Sequence, residues 1–236
     1  MMGTALLGCA VSPTPELAEA GRPSDVRRDE VLVLFPSWSR QGGGALWVHG
    51  WIYEPEDDSL IRRTAIEALR VALGLDVSAR ESALFRRRAS LFLVDNERGK
   101  RIGLRLGERV AVLPASGPDG HFEGRVEISE DELRRLPRPP AEGVADIVRI
   151  ETTPSADGRV SHGQVHLLAP TGLSVISDID DTMKNTQVHD LRLMLGNTFL
   201  EEFEPIDDLQ AIYTQWAAAG ASFHYVSASP WPLFEP

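Results

Sequence analysis

Ser174-Val175-Ile176-Ser177-Asp178-Ile179-Asp180-Asp181-Thr182 places an Asp-x-Asp-x-Thr array on the end of an apolar segment. The apolar residues read as a short buried strand. Asp178 then emerges at its carboxyl end, where open α/β sheets bind their ligands. Two carboxylates two residues apart divide the work of cleaving a phosphate ester. One attacks phosphorus and forms an aspartyl phosphate; the other protonates the leaving oxygen and later deprotonates water. Such chemistry calls for a divalent cation. A calcium loop of the EF-hand type fails, since it wants Gly at its sixth and Glu at its twelfth position. Thr182, Met183 and His189 fill the fifth, sixth and twelfth places. An acidic turn that merely closes a strand stays open on this pattern alone.

Working outward, Phe223-His224-Tyr225-Val226-Ser227-Ala228-Ser229-Pro230-Trp231 is a second β-prone run, about fifty positions downstream, with helical sequence between. The order is strand, helix, strand. A right-handed crossover sets the two strand ends side by side, so Ser227 is expected close to Asp178. Its hydroxyl and the exposed amides there suit a phosphoryl oxygen. An ordinary turn at a strand end is the alternative reading of Ser227.

Taken together, Ser-Asp-Ile-Asp-Asp-Thr-Met-Lys (177–184), Gly-Asn-Thr-Phe (196–199) and Phe-His-Tyr-Val-Ser-Ala-Ser-Pro-Trp (223–231) resemble the actin-patch-protein type of phosphatidate phosphatase, a family of the haloacid dehalogenase superfamily. The resemblance implies a Mg²⁺-dependent phosphatase that converts phosphatidate to diacylglycerol through an aspartyl phosphate. It implies Asp178 as nucleophile and Asp180 as general acid and base, both also serving the metal. Thr182 would be the hydroxyl that supports the loop at the phosphate, and Ser227 the phosphate-binding hydroxyl. Asp181 fits the family without a derivable role. The superfamily completes its site with a later Lys and acidic metal ligands after a fourth strand. None follows the second strand before Pro236, so a truncated chain is expected. Lys184 leaves the first strand too early to be that Lys. His189, Asp190, Asp207 and Asp208 are candidate substitutes for the metal ligands, but Asp190 and the Asp207-Asp208 pair read as helix-start residues.

Physical reasoning points the same way. A parallel sheet is normally covered on both faces and runs to several strands, so two strands should be marginal alone. About ten Asp and Glu after Gly172 face Lys184 and Arg192, which holds most of the net −11 and leaves the acids without a cation.

Residues 30–170 read mainly as β structure, with strands at Val31 to Phe35, Ala45 to Tyr53, Ala89 to Val94, Ile102 to Leu106, Arg109 to Leu113, Gly120 to Ile128, Ile147 to Thr152 and Gln164 to Leu168. Asp58 and Ser59 can cap one inserted helix from Leu60 to about Leu73, which Gly74 stops. Trp47, His49, Trp51 and Tyr53 share one face of their strand, with core packing the bland use and a ligand platform the sharp one. The expected fold class is thus α+β. A flexible segment at 1–29 leads to an antiparallel β-sandwich-like accessory module at 30–170, then the first part of a haloacid-dehalogenase-like, Rossmann-like α/β domain at 171–236. Phe35-Pro36, Gly50 to Glu56 and Gly120-His121-Phe122 resemble the amino-terminal region of bacterial members of the family.

The acidic balance and pI near 5.0 argue against nucleic acid as a partner. No stretch is apolar enough to span a membrane. Arg62-Arg63 and Arg86-Arg87-Arg88 are either a solvated face or contacts to anionic lipid. Leu6-Leu7-Gly8-Cys9-Ala10 resembles a bacterial lipobox. On that reading the chain is a cell-envelope lipoprotein; on the other, a flexible tail, it is cytoplasmic or peripheral to the membrane. Three functions stay in play: a phosphatase for phosphatidate or a related lipid phosphate at a membrane surface, a phosphatase for a soluble ester, and a non-catalytic lipid- or protein-binding module.

Overall fold

The computed structural model describes residues 23–55, 59–72, 74, 79–139 and 146–234. The lipobox residues around Cys9 and the proposed cap Asp58 lie outside these. In chain order the elements are β1 (Val31–Leu34), β2 (Ser37–Arg40), β3 (Gly43–Glu54), α1 (Leu60–Ala72), α2 (Ala79–Ser90), β4 (Asp95–Asn96), β5 (Gly103–Leu106), β6 (Arg109–Val112), β7 (His121–Ser129), α3 (Glu130–Arg135), β8 (Ile147–Thr152) and β9 (His162–Leu168). Then come β10 (Ser174–Asp178), α4 (Leu191–Phe199), α5 (Asp207–Ala218) and β11 (Ser222–Val226). Two compact units result. One is built from the segments ending at Ile52, Glu97–Pro139 and Asp146–Leu168, the other from Tyr53–Asn96 and the chain after Ala169.

In the first unit, alternating burial along β7, β8 and β9 sends one side chain in two to a shared core. Leu46 and Val48 of β3, Val126 of β7, Leu104 of β5, Ile150 of β8 and Val165 of β9 meet in that core. The long β3 is the hub, pairing with β2 and running antiparallel to β7 from Gly43 to Trp51. Gly50 is required there, because a Cβ would lie 2.2 Å from the Phe122 ring. Trp51 is buried and stacks on His121 at 5.7 Å, so packing is its use. The expected antiparallel sandwich needs amending: the strands form a single mixed sheet in the order β1-β3-β2-β9-β8-β5-β6, and β2 runs parallel to β9. Long-range pairing of this kind is set by tertiary contacts and leaves no local signal. The tail also ends earlier than expected, since Ser24 is buried against Thr153 and Val26 joins the core.

The second unit gathers α1 and α2 with the carboxyl-terminal strands and helices, so its membership does not follow a cut at residue 170. Helix α1 begins as expected at Ser59, whose hydroxyl accepts from Arg62 N. Gly74, at φ +65°, stands just past its end. The strand expected at Ala89 to Val94 is replaced by the end of α2 and a turn. Phe85, Ala89 and, one residue before it, Arg88 form the buried face of α2, a helical spacing that outweighs the β preference of Leu91 to Val94. Phe85 and Ala89 pack with Ile66 of α1 and Phe199 of α4. Strands β10 and β11 pair in parallel, with Ser174 opposite Ser222 and Asp178 opposite Val226. Among the described residues no helix is long and apolar enough to cross a membrane.

Candidate active site

Asp178 is the last residue of β10, and Ser227 follows directly on its register partner Val226. Parallel pairing therefore brings both motifs to one end of the strand pair. After Asp178 the chain curls tightly. The Ile179 carbonyl accepts from the amides of Met183 and Lys184, at 2.8 and 3.0 Å, and Asp181 takes φ 58°. A non-glycine residue holds that conformation only when its surroundings fix it. Here the Asp181 carboxylate accepts the amides of Thr186, Gln187 and Val188, which pins the returning loop. These backbone bonds, Val188 first, hold its carboxyl below the usual range. Asp181 thus has a role that the sequence did not supply.

Asp180 sits in a cage of donors. Its Oδ1 accepts Thr186 Oγ1 at 2.8 Å and pairs with Lys184 Nζ at 3.1 Å. Its Oδ2 accepts Ser227 Oγ at 3.1 Å and Ser229 Oγ at 2.8 Å. The hydroxyl of Ser227 therefore reaches Asp180 rather than Asp178. Burial works to raise the pKa of Asp180, but hydrogen bonds from Ser229, Thr186 and Lys184, with the lysine charge, take it down to about 2. Asp178 itself is exposed, and Thr182 Oγ1 donates to its Oδ2 at 3.4 Å. Behind it the buried Ser177 donates to the Asp178 carbonyl and accepts from Tyr213 of α5, which fixes the strand end against a helix.

Lys184, which leaves the strand too early to be the superfamily's later Lys, forms an ion pair with Asp180. It also lies 4.1 Å from the centre of the Phe203 ring. Thr186 and Ser229 likewise escaped sequence reading, although Ser229 stands two residues beyond Ser227 in the same hydroxyl-rich strand end. Asp190 caps α4, accepting the amides of Arg192 and Leu193, and Asp207 and Asp208 open α5. For a metal, exposed Asp178 offers hard carboxylate oxygens of the kind Mg²⁺ takes alongside phosphate oxygens and water, whereas both Asp180 oxygens are already held by donors. Among the described residues, no group of three or more acidic, histidine or cysteine side chains is gathered to hold an ion.

Paired carboxylates at the end of one parallel strand, with hydroxyls at the end of its neighbour, make this an α/β unit of the strand-end site type. Residues 173–236 match the family model described as phosphatidate phosphatase APP1, catalytic domain, the family that the motifs resemble. The chain is also 38% identical over 77 residues to an uncharacterized protein of Schizosaccharomyces pombe, a stretch covering 30% of this chain. It spans 12% of that relative's length. No solved structure matches the chain.

Proposed function

We propose that the second unit carries a Mg²⁺-dependent phosphatase site for phosphatidate or a related lipid phosphate, working through an aspartyl phosphate. The observation that carries this reading is the contrast between the two acids: Asp178 is open to solvent and Asp180 is enclosed by donors. The family match supports phosphatidate as the substrate. In the first step an Asp178 oxygen bonds to phosphorus while the bond to the ester oxygen breaks, and that oxygen takes a proton from Asp180. In the second, Asp180 takes a proton from water as its oxygen attacks phosphorus, the Asp178 bond breaks and phosphate leaves. At its resting pKa near 2 Asp180 is ionised and cannot act as the acid. Phosphoryl oxygens compete for Ser227, Ser229 and Lys184, and losing those donors raises the Asp180 pKa toward the range an acid needs. Mg²⁺, held by the Asp178 carboxylate, would supply charge neutralisation at the phosphoryl group.

Asp178→Asn is expected to reduce phosphate release from micellar phosphatidate by at least about a hundredfold, the scale for losing a positioned catalytic group. Undiminished release would remove Asp178 from the nucleophile role. Comparing micellar phosphatidate with a soluble ester separates the lipid reading from a soluble-substrate phosphatase. A non-catalytic binding module is a second reading, favoured by the lack of a third acidic ligand among the described residues. Mg²⁺-independent silence of the wild-type chain on both substrates would select it.

A further inference from the structure

The two arginine runs converge on one cavity of the second unit. Arg62 and Arg63 of α1 and Arg86 and Arg87 of α2 line a space of about 800 Å³, inside the roughly 300–1,000 Å³ range of ligand pockets. Ile66, Leu91, Leu93 and Val94 give it an apolar wall. Carboxylates offset part of the charge: Arg62 pairs with Asp95 at 2.7 Å and Arg86 with Glu67 at 3.4 Å. Arg87 is exposed and, among the described residues, pairs with no carboxylate. A basic lining thus persists in a chain of net charge −11. Arg88 takes no part, since its guanidinium is buried and donates to the carbonyls of Thr198 and Glu201.

A second feature lies beside the first. Leu60, Thr64, Glu67 and Val71 form one stripe of α1, and Glu67 lines the cavity. Leu60 is 78% exposed and Val71 67%. Apolar side chains standing in water next to basic ones are the composition of helices that lie in a lipid interface. An acidic protein also needs a local basic patch to approach an anionic bilayer.

We propose that this cavity binds the phosphate ester head group of an anionic lipid, with Leu60 and Val71 meeting the acyl region. Guanidinium forks match phosphate oxygens, and the apolar wall favours a head group that carries a chain over a free ester. None of Asp178, Asp180 or Ser227 lines the cavity. The inference rests on the proposed phosphatase reading only for its purpose, which is to hold the protein at the surface where its substrate lies.

The test is sedimentation of the whole chain, in an Asp178→Asn background, with vesicles of phosphatidylcholine alone or with added phosphatidate. Binding is expected with phosphatidate-containing vesicles. Arg87→Gln at its exposed position should weaken it about fivefold, from the worth of a basic residue at an anionic surface, and Arg86→Gln/Arg87→Gln should weaken it further. Arg86→Lys/Arg87→Lys keeps the charges and loses the forks, so it should bind between the wild type and the double Gln variant, with circular dichroism unchanged in every variant. Soluble glycerol phosphate is expected to leave the complex intact. Equal binding by the Gln variants, equal binding to neutral vesicles, or full displacement by the soluble ester would overturn the proposal. Phosphate release from a soluble ester by the unmodified chain is measured separately, so failure of the cavity and failure of the phosphatase reading are told apart.

Discussion

At the scale of single residues, Lys184 is one of four side chains that hold Asp180. Because the folded pKa of Asp180 lies near 2, below the ordinary 3.8, its contribution to stability is complete above about pH 4. It is lost as pH falls through the folded value near 2. In metal-free protein, Lys184→Met removes a hydrogen bond and a charge, so the Asp180 pKa should rise toward 3.8 and the acid-induced loss should move up with it. Carboxyl chemical shifts followed through a titration measure this directly; an unmoved Asp180 would mean that the hydroxyls alone set its acidity. That Asp178, Asp180 and Ser227 gather at one end of the strand pair was legible in the sequence, because each lies within a short motif on a recognisable strand end. Lys184, Thr186 and Ser229 were not, because they reach Asp180 only after the Ile179 carbonyl closes a turn and the two strands align in register.

At the scale of elements, α2 joins the insertion to the carboxyl-terminal part of the second unit. Buried Arg88 donates through Nη1 to the carbonyls of Thr198 and Glu201, both at 2.7 Å, and lies 4.0 Å from the Phe203 ring centre. Arg88→Met would leave two carbonyls unpartnered and a poor fit against Phe203, a loss on the order of 3 kcal/mol. Urea unfolding followed by fluorescence should register that loss, whereas Arg87→Met should fall within about 0.5 kcal/mol of wild type. Equal effects of the two would deny Arg88 its bracing role. A sequence pattern of three consecutive arginines hides this difference, since only the helical period turns the third one inward.

At the scale of the whole molecule, the two units have unequal cores. The first encloses a broad cluster from Val26 to Leu167, whereas the second buries Ile66, Phe85 and Ala89 with Leu93, Phe199 and Leu200 against them. Its strand pair is also thinly covered: Ile176 of β10 is 75% exposed and Val226 of β11 59%. Apolar burial is the main stabilising term, so stability should be uneven. Hydrogen exchange is expected to be slowest in β3, β8 and β9 and clearly faster in β10 and β11. Equal protection across both sets would show that the strand pair is stabilised by something other than its own packing.

The sequence by itself determined the strand ends, the paired carboxylates, the hydroxyl-rich partner segment and the first helix with its Ser59 cap and Gly74 stop. All of these are written in adjacent residues and short periods. Only the tertiary structure decided that β2 runs parallel to β9, that Leu91 to Val94 closes a helix rather than forming a strand, and that two distant arginine pairs share a cavity. Those outcomes turn on which distant surfaces bury one another, a competition that no local pattern records.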